Sequence, residues 1–241
     1  MKKTLIVLGI VAGATGAFAQ GQLNWEDGQA SYIIEILSPS TATPNTEATG
    51  QTSFDSPSGT TAYTGGYIGG ATTGNGPGIG ATPSAGYLGI NYQNAGNFTA
   101  GLYVDTSLAA LTSDIKSGTP LATTTLLGGG NDGFYSTTAP TYTSSLAIGT
   151  PVFVGIAAWY SGSSPAIGGS SYVSALKAGG VAGYVESTST VALGGGTGVP
   201  AALTGLGLTS FSLAGSVPEP TTVALGVMGA SAFLMRLRRK Q

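Results

Sequence analysis

The chain has 241 residues and contains neither cysteine nor histidine. Disulfide bonds, Cys–His and Ser–His–Asp nucleophilic catalysis and the usual zinc ligands are therefore excluded. All but two of the eight basic residues lie at the ends of the chain and nine of the ten acidic residues lie between them, so the body, residues 20–216, has a net charge of −7. This charge argues against nucleic-acid binding, which requires clustered cations.

The first residues have the three parts of a secretory signal peptide. Two lysines precede an apolar run from Leu5 to Ala12, and Ala17 and Ala19 supply the small side chains that signal peptidase requires before its cleavage site. We predict that signal peptidase removes residues 1–19 and that the mature chain begins at Gln20. The body is then exported.

Trp25, Glu26 and Asp27 form the first candidate for ligand binding. An aromatic face beside two acids is typical of sugar-binding patches, and the two carboxylates could contribute to a calcium site. In the alternative interpretation, Asp27 and Gly28 form a turn and Trp25 packs in the core. The sequence predicts no cofactor and no metal site, because the acids are scattered and no EF-hand pattern is present.

Short strands separated by Gly-, Ser- and Thr-rich connections are predicted for most of the body. Residues 32–37 are apolar enough to pack on both faces, with Glu35 on the face nearer water. Residues 87–92 and 98–104 are predicted to pair as an antiparallel hairpin. The most apolar segment, 151–160, is predicted to be a central strand. Further strands are predicted at 121–127, 181–185, 191–193 and 206–213.

Two short helical segments are predicted within this β pattern. Residues 105–115 carry apolar side chains at helical spacing behind possible caps at Asp105 and Thr106. Residues 171–178 have Ser170 or Ser171 as their cap and a glycine just beyond their end.

Many short strands without βαβ alternation predict an all-β fold. The predicted arrangement is an antiparallel β-sandwich of jelly-roll or immunoglobulin-like type with long Gly/Ser/Thr-rich loops. Ser210 and Ser212 are predicted to point outward from its last strand. A solenoid is the alternative, but the apolar segments have no fixed period. Period-two placement predicts five core residues, which are Ile34, Leu102, Val154, Ile156 and Phe211.

No catalytic residues are predicted. The nucleophile-elbow pattern is absent, and the glycine-rich run that ends at Gly133 is interpreted as a turn because no helix follows it to bind a phosphate. A glycosidase pair stays open, since folding can bring two carboxylates together. It would be drawn from Glu26, Glu35, Asp105 and Glu186. Exposed loop tyrosines would suit polysaccharide contact; the candidates are Tyr63, Tyr67, Tyr135 and Tyr142.

The segment 217–241 begins with a short motif that contains two prolines and ends with a basic cluster. The motif is Val217, Pro218, Glu219 and Pro220, and the cluster contains Arg236, Arg238, Arg239 and Lys240. The sixteen residues between Glu219 and Arg236 carry no formal charge. As a helix they would span roughly 24 Å, against a hydrocarbon core of about 30 Å. A transmembrane helix with a cytoplasmic basic end is therefore predicted.

This order of motif, apolar span and basic end resembles the PEP-CTERM sorting signal of Gram-negative bacteria that produce exopolysaccharide. Pro218, Glu219 and Pro220 match its signature. The resemblance implies that an exosortase-like membrane protease would cut near the motif. It also implies that the body would be tethered to the inner membrane before processing and would then reach the cell surface or extracellular matrix. The resemblance covers the tail alone.

These features predict a non-enzymatic, exported envelope or extracellular-matrix structural protein that associates with exopolysaccharide. Two other functions stay open, because a sorting signal does not determine what a body does. One is a carbohydrate-binding or adhesive module, and the other is a carboxylate-dependent polysaccharide hydrolase. Binding to purified exopolysaccharide and release of reducing sugar would discriminate among the three.

Overall fold

A computed structural model describes residues 20–25, 34–40, 42–52, 55, 57–69, 87–128, 133–135, 141–195 and 199–215. Within these ranges the fold is all-β with two short α-helices. The strands are β1 (Gln20–Asn24), β2 (Ile36–Leu37), β3 (Phe98–Asp105), β4 (Ala122–Thr125), β5 (Thr141–Ala147), β6 (Pro151–Tyr160), β7 (Val181–Glu186), β8 (Val191–Ala192), β9 (Ala201–Ala202), β10 (Phe211–Ser212) and β11 (Ala214–Gly215). The helices are α1 (Leu108–Ser117) and α2 (Tyr172–Lys177), and 3₁₀ turns cover Tyr87–Gly89 and Ala95–Asn97.

The central sheet is built around β6, the most apolar segment of the body. Its strands follow the order β11-β7-β6-β3-β4, and β8 pairs with the beginning of β6. β3 and β6 are antiparallel from Phe98 opposite Tyr160 to Asp105 opposite Phe153. The prediction of a central strand at 151–160 is confirmed. Because neighbouring residues of β6 point to opposite faces and both are apolar, the sheet must be covered on both sides.

One face of the central sheet packs against the other strands. Val152, Val154 and Ile156 of β6 point to this face and are fully buried. The same core contains side chains from both smaller sheets, such as Leu23 and Phe211. The five predicted core residues, Ile34, Leu102, Val154, Ile156 and Phe211, are each 0% exposed, which confirms their prediction.

The opposite face of the central sheet is covered by α1 and α2. Ala157 and Trp159 of β6 point to it and pack with side chains from both helices. Gly155 lets α1 approach closely, because a Cβ at this position would lie 2.7 Å from Ile115 Cδ1. Both predicted helical segments are confirmed, although α1 begins behind Ser107 as its N-cap and not behind Asp105 or Thr106.

Replacing Ser171 with Ala is expected to lower the free energy of unfolding by about 1 kcal/mol, because it removes the N-cap of α2. The Ser171 hydroxyl accepts a hydrogen bond from the Ser174 amide, and the Ser174 hydroxyl accepts one from the Ser171 amide. Chemical denaturation measures the loss. Ser113→Ala, at an exposed position of α1, is the matched control. Equal effects of the two substitutions would show that the cap contributes nothing of its own.

Two smaller sheets complete the described fold. One has the order β5-β1-β9, and the other pairs β10 with β2. β1 runs parallel to β9, and β2 runs parallel to β10, with Phe211 opposite Ile36. The prediction of a wholly antiparallel arrangement is therefore wrong for these two pairs. In each pair the strands are far apart in the sequence, so the intervening chain is long enough to return and run in the same direction.

The predicted hairpin of 87–92 with 98–104 is wrong. Residues Tyr87–Gly89 form a 3₁₀ turn, and Leu88 has a φ of 58°, a left-handed conformation that interrupts an extended strand. β3 instead pairs with β4 along one edge and with β6 along the other. β1 and β5, which were not predicted, pair with each other. Their Gln-, Gly-, Ser- and Thr-rich sequences contain too few apolar residues to indicate strands.

The predicted signal peptide, 1–19, and sorting tail, 217–241, lie outside the described residues. Neither α1 nor α2, nor any other helix of the described ranges, has the length and apolar character that a bilayer crossing requires.

Candidate functional site

The structure places Trp25 in the core, as the alternative interpretation expects. Its side chain is 2% exposed, and its ring stacks on Tyr135 with centroids 5.5 Å apart and an interplanar angle of 25°. Too little of the indole surface is exposed to stack on a sugar. The two acids that were considered with it, Glu26 and Asp27, lie outside the described residues.

Two of the four tyrosines that were predicted to be exposed are buried. Tyr63 is 8% exposed and Tyr135 is 0% exposed, so the prediction is wrong for both, and the other two are half-buried. The Tyr63 hydroxyl lies 2.8 Å from the Gly50 carbonyl oxygen and 2.7 Å from the Ser210 carbonyl oxygen. The Tyr63 hydroxyl therefore anchors its loop to the body, and the Tyr63 ring is too buried to bind a ligand.

Glu35 belongs to a buried polar cluster and does not lie on a face near water, which corrects its predicted position. Glu35 is 7% exposed, Asp55 5% and Ser210 0%. The Glu35 amide donates to Ser210 Oγ over 2.7 Å, and the Ser210 hydroxyl donates to Asp55 Oδ1 over 2.7 Å. The Thr52 amide donates to Asp55 Oδ2. One serine hydroxyl thus links the β2 region to the loop that carries Asp55.

The Glu35 carboxyl keeps its proton to a higher pH than an exposed glutamate does. Burial, with a smaller contribution from the Asp55 carboxylate, raises the pKa of Glu35, and the Tyr67 hydroxyl offsets part of the rise, so that the pKa is about 7. That hydroxyl is not placed for a well-formed hydrogen bond, and within the described ranges neither it nor Glu35 Oε2 has a partner. The lysines of the described ranges, Lys116 and Lys177, lie on the two helices, away from this cluster.

The segment from Glu47 to Gly50 runs beside Ser210 and Ser212, the serines on either side of Phe211. The Ala48 amide donates to Ser212 Oγ over 3.0 Å, and the Ser212 amide donates to the Ala48 carbonyl over 2.9 Å. The Gly50 amide donates to the Ser210 carbonyl over 3.0 Å. Ser210 and Ser212 are 0% and 2% exposed, so the prediction that they point outward is wrong. Their hydroxyls satisfy backbone and carboxylate groups of the adjoining loop.

Glu47 occupies the edge of β7 beyond the end of β11. β11 pairs with β7 only at Val181 and Ala182. Farther along β7, the Tyr184 amide donates to Glu47 Oε1 over 2.7 Å. The carboxylate therefore takes the position of a strand carbonyl and satisfies an amide at an open sheet edge.

A surface groove of ≈ 490 Å³ opens at this edge. Glu186 lies two residues beyond Tyr184 on β7, so both side chains point to the same face of the strand. Glu186 Oε1 is buried and has no hydrogen-bond partner in the described part of the chain. We name this cavity the Glu47–Glu186 groove, and its lining residues are Glu47, Thr49, Tyr184, Val185, Glu186, Thr188, Gly207 and Thr209.

A second concavity of ≈ 310 Å³ adjoins the groove. The two share Gly207 and Thr209, and the second extends to Gln51 and Pro57. Gly207 has a φ of 72°, and a Cβ there would lie 2.1 Å from Thr188 Oγ1. Glycine is therefore required at the junction, both for the backbone conformation and for the close contact.

Two acids line the groove, and the pKa of one of them, Glu47, is raised. Burial raises the pKa of Glu47 to about 7, while the hydrogen bond from the Tyr184 amide and the charge of Lys116 offset part of the rise. Lys116 Nζ lies 5.6 Å from the Tyr184 ring centroid. Tyr172 packs edge-on against the same ring, so Tyr184 serves to support the groove more than to stack on a ligand.

The structure pairs one of the predicted candidate carboxylates with an acid that was not predicted. Glu186 shares the groove with Glu47, whereas Glu35 lies in the separate buried cluster. Asp105 accepts the Ser107 amide ahead of α1. Glu47 was missed because it lies in a Ser/Thr/Pro-rich stretch that was interpreted as a loop. Its sequence signal was weak, because Glu47 is one of two acids in that stretch, residues 38–61.

Among the described residues, no three or more acids come together as metal ligands. No match to the chain was found among protein-family models, curated proteins or solved structures. Function is therefore inferred from the residues of this chain alone.

Proposed function

We propose that this chain is an exported structural protein of the cell envelope or extracellular matrix that is sorted by its C-terminal tail. The observation that carries the proposal is the order of the tail in the sequence: Pro218, Glu219 and Pro220, then an uncharged span, then four basic residues. An exosortase-like protease would cut near the prolines, and signal peptidase would cut before Gln20. The product would be a non-enzymatic body that associates with exopolysaccharide.

The limits of the described elements are compatible with both cleavages. β1 begins at Gln20 and β11 ends at Gly215. Removal of residues 1–19 and of the segment from 217 onward would therefore leave the described strands intact. The two prolines disfavour helix and sheet around Glu219, which would give a protease an extended segment to bind.

Replacing Pro218, Glu219 and Pro220 together with alanines is expected to trap the full-length chain in the membrane fraction. Export across the inner membrane should continue, because the N-terminal signal directs it. Fractionation followed by intact-mass measurement of the protein in each fraction tests this expectation. Alanines at Thr221 and Thr222, just beyond the motif, provide the matched control and should not change processing.

Wild-type protein recovered outside the cell with Arg236 still attached would contradict the proposal, because the tail would then be a permanent extension. Release of the alanine variant at the wild-type rate would contradict the role of the prolines and Glu219.

We also propose that the body is a β-sandwich of jelly-roll or immunoglobulin-like type. In this arrangement the central sheet is one layer and the strands of the two smaller sheets form the other. Support comes from the main core, which combines Leu23 of β1, Ile36 of β2, Val154 of β6 and Phe211 of β10. An experimental structure with the smaller sheets beside the central sheet, and not across its core, would contradict this arrangement.

Carbohydrate binding is the second candidate function. The buried Tyr63 and Tyr135 do not support binding by exposed loop tyrosines. The Glu47–Glu186 groove supports it at a different place, because it is concave and lined by polar side chains.

A further inference from the structure

The described fold ends one residue before the sorting motif. β11 ends at Gly215 and the motif begins at Val217, so Ser216 alone separates them. An extended chain advances by at most about 3.6 Å per residue, so Val217 lies within roughly 7 Å of Gly215. A protease that binds its substrate as an extended chain contacts residues on both sides of the bond it cuts. The position of β11 therefore limits the room that a protease has on the N-terminal side of the motif.

β11 is the last strand in the order of the central sheet and pairs with β7 over two residues only. Ala214 is opposite Ala182, and Gly215 is opposite Val181. A short edge strand opens at a smaller cost in free energy than the whole fold, because few hydrogen bonds are lost. β11 can therefore leave β7 while the rest of the central sheet stays folded.

Residues from two distant parts of the chain hold the end of β11 in place. The Gly215 amide donates to the Pro44 carbonyl oxygen over 2.9 Å. Beside it, the Tyr87 hydroxyl donates to Asn45 Oδ1. A Cβ at Gly215 would collide with the Tyr87 hydroxyl oxygen and would lie 2.9 Å from Asn45 Oδ1, so both side chains lie directly against this glycine. We name Pro44, Asn45 and Tyr87 the β11 clamp.

Release of β11 can stop at Leu213, because this residue belongs to the main core. Leu213 is 0% exposed, and its amide donates to the Leu37 carbonyl oxygen over 2.9 Å. Before it, the Ser212 amide donates to the Ala48 carbonyl oxygen over 2.9 Å. Departure of β11 therefore adds its two residues, roughly 7 Å at full extension, to the chain before the motif and leaves β10 in place.

We propose that docking of β11 regulates cleavage of the tail. While the β11 clamp holds Gly215, the body lies too close to the motif for the protease to bind it fully, and release of β11 provides the room. This inference rests on the proposed cleavage near Pro218 and identifies what controls its rate.

The rate at which the full-length chain loses its tail in its native host tests the proposal, and pulse-labelling followed by fractionation and mass measurement gives this rate. Asn45→Ala and Tyr87→Phe each remove the same hydrogen bond of the clamp. Each should speed tail loss about fivefold, because the open state of β11 becomes more populated. The double variant should be no faster than either single variant. Asn94→Ala, at an exposed asparagine whose side chain makes no cap hydrogen bond, is the matched control and should match the wild type.

A longer connection separates reach from any other effect of the clamp. Insertion of Gly-Ser-Gly-Ser after Ser216 gives the protease room while β11 stays docked, so it should speed tail loss at least as much as the clamp variants do. Asn45→Ala should then add nothing. Hydrogen exchange of the Gly215 amide, measured on the purified full-length protein in detergent, reports release of β11 without the protease. It should be about fivefold faster in Asn45→Ala than in the wild type and unchanged by the insertion.

Wild-type rates of tail loss in both Asn45→Ala and Tyr87→Phe would overturn the inference. An insertion that does not speed tail loss would also overturn it, because room before the motif would then not be limiting. So would a further gain from Asn45→Ala in the inserted chain, since the clamp would then act by another route. In each of these cases the wild-type tail is still removed. Failure of the sorting proposal is distinguishable, because the wild type and every variant would then keep the tail, and both proposals would be wrong.

Discussion

Raising the pH from about 4 to about 8 is expected to remove about 3 kcal/mol from the free energy of unfolding through Glu35 alone. The pKa of Glu35 is about 7 in the folded protein and 4.5 in the reference state. The folded state therefore binds more protons between these values, and stability falls as the pH rises through this window. The contribution is fully present below pH 4.5 and is lost once the pH passes about 7.

Glu35→Gln is expected to remove this part of the pH dependence, because glutamine stays neutral and has nearly the same shape. Urea denaturation at intervals between about pH 4 and pH 8 measures the difference between variant and wild type. Asp114→Asn, which neutralises an exposed acid on α1, is the matched control and should leave the wild-type slope nearly unchanged. A Glu35→Gln slope that equals the wild-type slope would show that the carboxyl is not buried as described.

Glu47 adds a contribution of the same sign, since burial raises its pKa to about 7 as well. The double variant Glu35→Gln and Glu47→Gln should therefore have a flatter profile than either single variant. The physical origin is shared, because Glu35 is buried and Glu47 is half-buried, and removal of a carboxylate from water favours its protonated form.

Elements with strong apolar periodicity were predictable from the sequence. The apolar side chains of β3, β6 and β7 point alternately to the two faces of the central sheet. Both faces are covered, so the apolar pattern of the sequence agrees with the packing. The N-cap at Ser171 was also predictable, because a serine before an apolar helical segment satisfies an orphan amide by local chemistry.

Positions that depend on distant partners were not predictable. Ser210 and Ser212 follow the alternation expected of outward residues, yet the Ala48 amide and the Asp55 carboxylate bind their hydroxyls. Glu35 is buried for the same reason, since Ser210 and Asp55 meet it from far along the chain. A Ser/Thr-rich loop gives no local signal that it will pack on a sheet, because the hydrogen bonds that join it to β10 and Ser210 are made with residues more than one hundred positions away.

The Glu47–Glu186 groove was missed on the same grounds. Glu186 was one of several scattered acids, and nothing in the spacing paired it with Glu47, which lies 139 positions earlier in the chain. Their meeting depends on the short β11 strand, which leaves the β7 edge open at Tyr184. The sequence identifies candidate carboxylates, but which of them lie in one site depends on where the neighbouring strand ends.

Ile156→Ala is expected to lower the free energy of unfolding by about 2 to 5 kcal/mol, a large part of the total stability of a typical domain. Ile156 is 0% exposed at the centre of β6, opposite Leu102 of β3 and Val185 of β7. Removing three carbon atoms there leaves a cavity between strands that are hydrogen-bonded on both sides and cannot collapse to fill it.

The urea midpoint measures the loss, and an unchanged m-value shows that the unfolding transition is the same. Ile148→Ala, at a residue that is 39% exposed in the turn after β5, is the matched control and should cost much less. Equal midpoints for the two variants would place Ile156 outside the core and would contradict the position of β6 at the centre of the sheet.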